Sequence, residues 1–160
     1  MKLIKSLLTA VAALAITTPI NAATWDEVNH LATLVRGTST EVSVENCPEN
    51  LNGYYHYAPG QGIDKIGICQ NNIDMENPDE VWDVLAHEAT HVMQACNNGP
   101  VVKDSYVSQI QVELYEQDPH DFNVLHHYPK ADKRKELEAF WMALHEPPIV
   151  FDWFKTFCGS

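Results

Sequence analysis

One segment in the middle of the chain constrains the fold more than any other, because it carries a complete set of helix signals. Asn77 is a common N-cap residue, Pro78 suits the first helical position, and Glu80 stands three residues after the cap. Apolar residues then recur at the spacing of a buried helical stripe, and the run Asn97-Asn98-Gly99-Pro100 ends the pattern. The sequence therefore predicts a long helix between Asn77 and Asn97 with one face in the core.

Three polar residues inside this helix have the spacing of a metal site. His87 and His91 are four residues apart, so their imidazoles lie one turn apart on one face and can bind one ion. Neutral imidazole suits Zn²⁺, and a catalytic zinc needs three protein ligands and an open position for water. Glu88 can accept a proton from that water without binding the metal itself. The segment from Val84 to Met93 is otherwise uncharged, which favours a metal site over a chance match.

A third ligand has to come from another part of the chain. The stretch Glu136-Leu137-Glu138-Ala139 lies in a predicted helix of about residues 131–144. It resembles the glutamate helix of gluzincin metallopeptidases, in which a Glu-x-x-Ala stretch supplies the third zinc ligand. The resemblance implies that Glu136 is the ligand, with Glu138 either beside the site or the ligand itself in a shifted register. Glu113, on the preceding predicted helix of about residues 102–116, is a more remote alternative.

The resemblance covers two short motifs and the order of the elements around them, which is hairpin, HExxH helix, connecting segment and glutamate helix. The run from His87 to Gln94 is also similar to small bacterial or phage proteins that carry His-Glu-x-x-His-Val-x-Gln. These resemblances imply an α+β, zincin-like single domain with a small sheet packed on the HExxH helix. They also imply one zinc ion and peptide-bond hydrolysis with Glu88 as general base. No HxxGxxH extension follows His91, which argues against a metzincin.

Three points about this interpretation stay open at the level of sequence. A strand at residues 66–69 is either an edge strand that binds an extended peptide or an ordinary structural hairpin. A predicted polar loop contains His120, His126, His127 and Tyr128, and the last three either stabilise the oxyanion of the reaction or are simply exposed. The rival function is that of a secreted zinc-binding protein with a structural or degenerate site and no peptidase activity.

The N-terminus has the layout of a secretory signal peptide. Lys2 and Lys5 precede an apolar run at residues 7–16, and small and turn-forming residues follow it. The run is shorter than the ~20 apolar residues that a membrane-spanning helix needs. We expect residues 1–22 to be removed by a cut after Ala22, with a cut after Ala23 as the alternative. Residues 23–160 then form one secreted or periplasmic domain.

The cysteines fit an exported protein, because an even number in an oxidising compartment indicates disulfides. The four residues, Cys47, Cys69, Cys96 and Cys158, allow three pairings. We favour Cys47–Cys69, which closes a local loop, and Cys96–Cys158, which ties the HExxH helix to a short aromatic C-terminal segment at about residues 150–157.

The charge of the chain limits its partners. The formal net charge is −12 at pH 7, and loss of the two leader lysines makes it more negative still. Such a surface repels DNA, RNA and anionic membranes. We therefore expect a protein or peptide substrate, with no nucleic acid partner and no membrane partner after cleavage.

Overall fold

The fold combines six helices with a three-stranded sheet, as seen in a computed structural model that describes residues 22–159. This confirms the predicted α+β class. The helices are α1 (Trp25–Gly37), α2 (Pro78–Cys96), α3 (Val107–Gln117), α4 (Pro119–Val124), α5 (Lys133–Ala143) and α6 (Pro147–Cys158). The strands are β1 (Glu41–Glu45), β2 (Gly53–Ala58) and β3 (Ile63–Cys69).

Helix α2 is the HExxH helix, and the rest of the domain packs around it. The Asn77 side chain accepts a hydrogen bond from the backbone N–H of Asp79 at 3.1 Å, so the predicted N-cap is confirmed. The helix contacts α1, α5, α6, β2 and β3. Its apolar stripe is fully buried, for example at Leu85, Ala89 and Met93. The face of α2 that carries the two histidines is directed toward β2 and α5.

The sheet has the order β1-β3-β2, with β3 parallel to β1 and antiparallel to β2. The predicted hairpin is present, and of the two alternatives for residues 66–69 the edge strand is wrong, because β1 pairs with the far side of β3 and makes it the central strand. The strand beside α2 is β2, which lies so close that a Cβ atom at Gly53 would be 2.4 Å from Cγ1 of Val84. Glycine at that position therefore permits the contact between β2 and the HExxH helix.

The segment that follows α2 differs from the prediction in two places. The second helix begins at Val107 rather than Val102, because the backbone N–H groups of Val101 and Val102 bond to Glu138 instead of starting a helix. The expected polar loop with His120, His126 and His127 is helical. Pro119 occupies the first turn of α4, the Asp118 side chain caps it, and a 3-10 turn over Leu125–His127 follows.

Both favoured disulfides are present, Cys47–Cys69 between the segment after β1 and the end of β3, and Cys96–Cys158 between the ends of α2 and α6. The aromatic C-terminal segment, expected to be short, is the complete helix α6 and is tied down by the second bridge. Among residues 22–159, no helix has the length and apolarity needed to cross a bilayer. The signal-peptide prediction falls almost entirely on residues 1–21, which lie outside the described part of the chain.

Candidate metal centre

Two histidines of α2 and one glutamate of α5 meet at the base of a cavity. One ligand atom each from His87, His91 and Glu136 lies within 4.8 Å of the others, which is close enough for all three to share one ion. Nε2 of His87 is 3.2 Å from Oε2 of Glu136, and Nε2 of His91 is 3.6 Å from Oε1 of the same carboxylate. All three side chains are about one-seventh exposed. The structure thus brings together the three residues that the sequence and the resemblance selected.

Packing orients the first of these histidines. The ring of His87 stands edge-on to Phe140 of α5, with centroids 4.5 Å apart and planes at 70°. Phe140 follows Glu136 by one helical turn, so the residue that supplies the carboxylate and the residue that supports the imidazole share one face of α5. The packing of α5 on α2 therefore fixes both donors at once.

Charge interactions in the cluster favour a cation. Burial raises the pKa of Glu136, but hydrogen bonds and charge from the two histidines in their protonated form outweigh this effect and bring it to about 2. Burial by itself lowers the pKa of His91, yet the facing Glu136 and nearby Glu88 carboxylates raise it. Two imidazoles among two carboxylates leave an excess of negative charge. Two imidazole nitrogens and one carboxylate oxygen are also the donor set of a three-ligand zinc site.

Glu88 lies beside the cluster without belonging to it. Its side chain is 6% exposed and lines the same cavity as the three donors. Burial raises the pKa of this carboxyl, an effect that the two histidines partly oppose. A carboxyl with a raised pKa is better matched to proton transfer near neutral pH than an exposed glutamate. The position is therefore suited to a general base beside a metal-bound water.

Glu138, the alternative ligand, points away from the cluster into the protein. It is fully buried and accepts hydrogen bonds from the backbone N–H groups of Val101 at 2.9 Å and Val102 at 3.3 Å. It also accepts from Nε of Arg134 at 2.7 Å and from Nε2 of Gln94 at 3.1 Å. Of the two glutamates on α5, only Glu136 reaches the histidines. Glu113, the remote alternative, accepts instead from the indole N–H of a tryptophan on α5.

The cavity above the cluster is large enough for part of a peptide, with a volume of about 720 Å³. Tyr128 lines it, whereas His126 and His127 are exposed and are absent from its lining. Burial, reinforced by Glu136 and Glu88, raises the pKa of Tyr128 to about 12. The Tyr128 hydroxyl therefore stays protonated near neutral pH and can donate a hydrogen bond. The lining also includes three residues of β2 that sequence reasoning did not connect with the site: Tyr54, Tyr55 and Tyr57.

Gln94 is a further residue of the site whose role was not anticipated. Its Oε1 lies 2.9 Å from Nδ1 of His91, on the side of the ring opposite the cluster. The signal for this contact was available, because residues three apart on a helix are neighbours and Gln94 follows His91 by three. No signal in the sequence indicates the contact between Gln94 and Glu138, because it joins two different helices, α2 and α5.

These observations describe an α+β domain in which one helix supplies two histidines, and a second helix one glutamate, to a group that can hold a metal ion. Over residues 19–159 the chain matches the domain of unknown function DUF8637, and it belongs to this family. Comparisons with curated proteins and with solved structures gave no match. The activity of the site is therefore inferred from its own geometry.

Proposed function

We propose that the protein is a secreted or periplasmic, zinc-dependent metallopeptidase with a zincin-like fold of the gluzincin type. The observation that carries this proposal is the meeting of His87, His91 and Glu136 at a cavity that Glu88 also lines. Three donors on an open cavity correspond to a catalytic zinc site, since structural sites close the coordination shell with four protein ligands. The two disulfides support a location in an oxidising compartment.

The side chains around the site have complementary tasks in peptide hydrolysis. A zinc ion held there would polarise the scissile carbonyl and lower the pKa of a water molecule. Glu88 takes the proton of the attacking water and returns it to the leaving amine. Tyr128 donates a hydrogen bond to the carbonyl oxygen as it gains negative charge. The edge strand β2, rather than the central strand β3, lies where an extended peptide can be bound by strand addition.

The alternative function is that of a secreted zinc-binding protein with a structural or degenerate site. It predicts the same metal content but no hydrolysis, and it gives Glu88 no task. The burial of this carboxyl favours the peptidase, because a buried carboxylate costs free energy that metal binding alone does not require.

The test compares the exported, disulfide-bonded protein with Glu88→Gln, Glu136→Gln and Glu138→Gln. Zinc content is measured by elemental analysis, and hydrolysis is measured on a mixture of unstructured peptides by mass spectrometry. We expect about one zinc in the wild type and in Glu88→Gln, and hydrolysis reduced about 10²–10⁴-fold in Glu88→Gln. We expect Glu136→Gln to lose zinc. Glu138→Gln tests the shifted register of the third ligand, and we expect it to retain more zinc than Glu136→Gln, because Glu138 does not contact the histidines.

Each other outcome has a distinct meaning. A wild type without zinc contradicts both functions. Zinc without hydrolysis, and equal behaviour of the wild type and Glu88→Gln, supports the zinc-binding alternative. Loss of zinc in Glu138→Gln together with retention in Glu136→Gln contradicts the assignment of the third ligand.

A further inference from the structure

A chain of hydrogen bonds runs from the protein interior to the back of His91. Its members are Glu138, which is fully buried, Gln94, which is 5% exposed, and the Nδ1 atom of His91. Nε2 of Gln94 is 3.1 Å from Glu138 and 3.0 Å from the backbone carbonyl of Lys135. The outer end of the chain is the histidine ring whose other nitrogen, Nε2, faces the cluster.

The surroundings of Gln94 leave its amide one favourable orientation. Both neighbours of its nitrogen, the Glu138 carboxylate and the Lys135 carbonyl, can only accept hydrogen bonds. A reversed amide would place its oxygen against two acceptors inside the protein, where unsatisfied polar groups are costly. The NH₂ group therefore points toward Glu138, and the Gln94 oxygen points toward His91. Glu138 is itself held by its bonds to Arg134 and to two backbone N–H groups.

The orientation of Gln94 determines which ring nitrogen of a neutral His91 carries the proton. Since the Gln94 oxygen accepts, Nδ1 of His91 has to donate, and the hydrogen lies on Nδ1. Nε2 is then left with a lone pair that faces Oε1 of Glu136 at 3.6 Å. Two acceptors facing each other repel unless a cation lies between them.

We infer that Gln94 is a positioning residue that holds His91 in the Nδ1–H tautomer, so that Nε2 is ready for a metal ion before the ion arrives. The inference rests on the proposed metal site and adds a specific role for two residues outside the ligand set. Glu138 acts through Gln94 by fixing its amide. Hydrogen bonds of this kind to a metal-binding histidine typically change metal affinity by ~10–100-fold.

The test reads the tautomer and the metal affinity separately. Long-range ¹H–¹⁵N correlation spectra of ¹⁵N-labelled, metal-free protein, recorded at rising pH until the His91 ring signals no longer change, report which ring nitrogen of the neutral His91 is protonated. We expect Nδ1–H in the wild type. In Gln94→Met, which keeps the length of the side chain but removes the acceptor, we expect the proton to be shared between the two nitrogens. Zinc affinity, measured by competition with a chelator, is expected to fall ~10–100-fold.

Gln109→Met is the matched control, because Gln109 is exposed on α3 and bonds only to Glu113 among the described residues. It should leave both readouts unchanged. An Nε2–H tautomer of His91 in the wild type overturns the inference, and this measurement needs no variant to fold. Unchanged tautomer and zinc affinity in Gln94→Met overturn it as well. If the wild type shows Nδ1–H but binds no zinc, the metal site fails while the hydrogen-bond chain stands.

Discussion

Replacement of Glu138 by alanine should destabilise the protein strongly even when no metal is present. The carboxylate is fully buried and accepts hydrogen bonds from the backbone N–H groups of Val101 and Val102, two residues that are each only 6% exposed. Without it, both N–H groups lose the acceptor that the structure gives them. Arg134, with its side chain 24% exposed, can turn toward solvent and loses less.

The size of the effect follows from what is left unpaired. A buried donor without a partner costs about 1–3 kcal/mol, and removal of one partner from a buried ion pair typically costs about 3–5 kcal/mol. We therefore expect Glu138→Ala to lower the free energy of unfolding by about 3–5 kcal/mol. Glu136→Ala is the matched comparison, because its carboxylate faces the cavity and its partners are two histidines. The comparison is made at a pH high enough for the histidines to be neutral, where the carboxylate makes no ion pair with them and we expect its loss to cost about 1 kcal/mol or less.

The assay is urea denaturation in the presence of EDTA with the disulfides intact, followed by tryptophan fluorescence and circular dichroism. With a slope of about 2 kcal/mol per molar urea, Glu138→Ala should lower the midpoint by about 2 M. Glu136→Ala should lower it by about 0.5 M or less. Equal shifts for the two variants, or a shift below about 0.5 M for Glu138→Ala, would refute the structural role. If Glu138 were instead a metal ligand, Glu138→Ala would have near wild-type stability in EDTA and would lose zinc.

Three further expectations concern other parts of the structure. Zinc should be released as the pH falls below neutral, because the histidines bind the metal as neutral imidazoles and protons compete with it, and the carboxylates that raise the pKa of His91 favour this protonation; a chromophoric chelator detects the release, and release only below about pH 4 contradicts histidine ligation. Gly53→Ala should cost about 1–3 kcal/mol in thermal melts, because its Cβ would lie 2.4 Å from Val84. Gly60→Ala, which meets nothing within 4 Å, is its control, and equal melting temperatures of the two variants contradict the close contact. The backbone N–H of Ala23, a buried residue, donates to Oδ1 of Asp79 at 2.6 Å. If the leader is cut after Ala22, Ala23 becomes the N-terminus and its ammonium group should lie against the Asp79 carboxylate. One extra N-terminal residue should then lower the melting temperature by about 1–3 °C, and Asp79→Asn should abolish the difference; an intact mass that begins at residue 24 contradicts this.

The elements that could be predicted from the sequence are those specified by local signals. The limits of α2 follow from Asn77 and Pro78 at one end and the Asn-Asn-Gly-Pro run at the other, and these residues act on their own backbone. The hairpin of β2 and β3 follows in the same way from the turn at Pro59-Gly60. The sequence could not predict that β3 is central and β2 is at the edge, because this order depends on β1 pairing with β3 across more than fifteen intervening residues.

The same distinction applies to the two glutamates of α5. Residues two apart on a helix are related by a rotation of about 200° about its axis and lie on nearly opposite faces. Glu136 and Glu138 therefore cannot both face the histidines. Sequence alone gives the separation but not the rotation of the helix. The rotation is set by tertiary contacts, chiefly by the Val101 and Val102 N–H groups that Glu138 satisfies.

This arrangement explains how α5 supplies a donor although a whole helix separates it from α2 in sequence. Glu138 binds the segment that leaves α2 and, through Gln94, α2 itself, so the inner side of α5 is anchored to the helix that carries both histidines. Because the face of α5 that carries Glu138 is anchored in this way, the nearly opposite face, which carries Glu136, is directed toward the cavity. The position of the third donor therefore depends on buried hydrogen bonds rather than on the metal. It follows that the three donor side chains should lie close together in the metal-free protein, and that metal binding should require little rearrangement of α5.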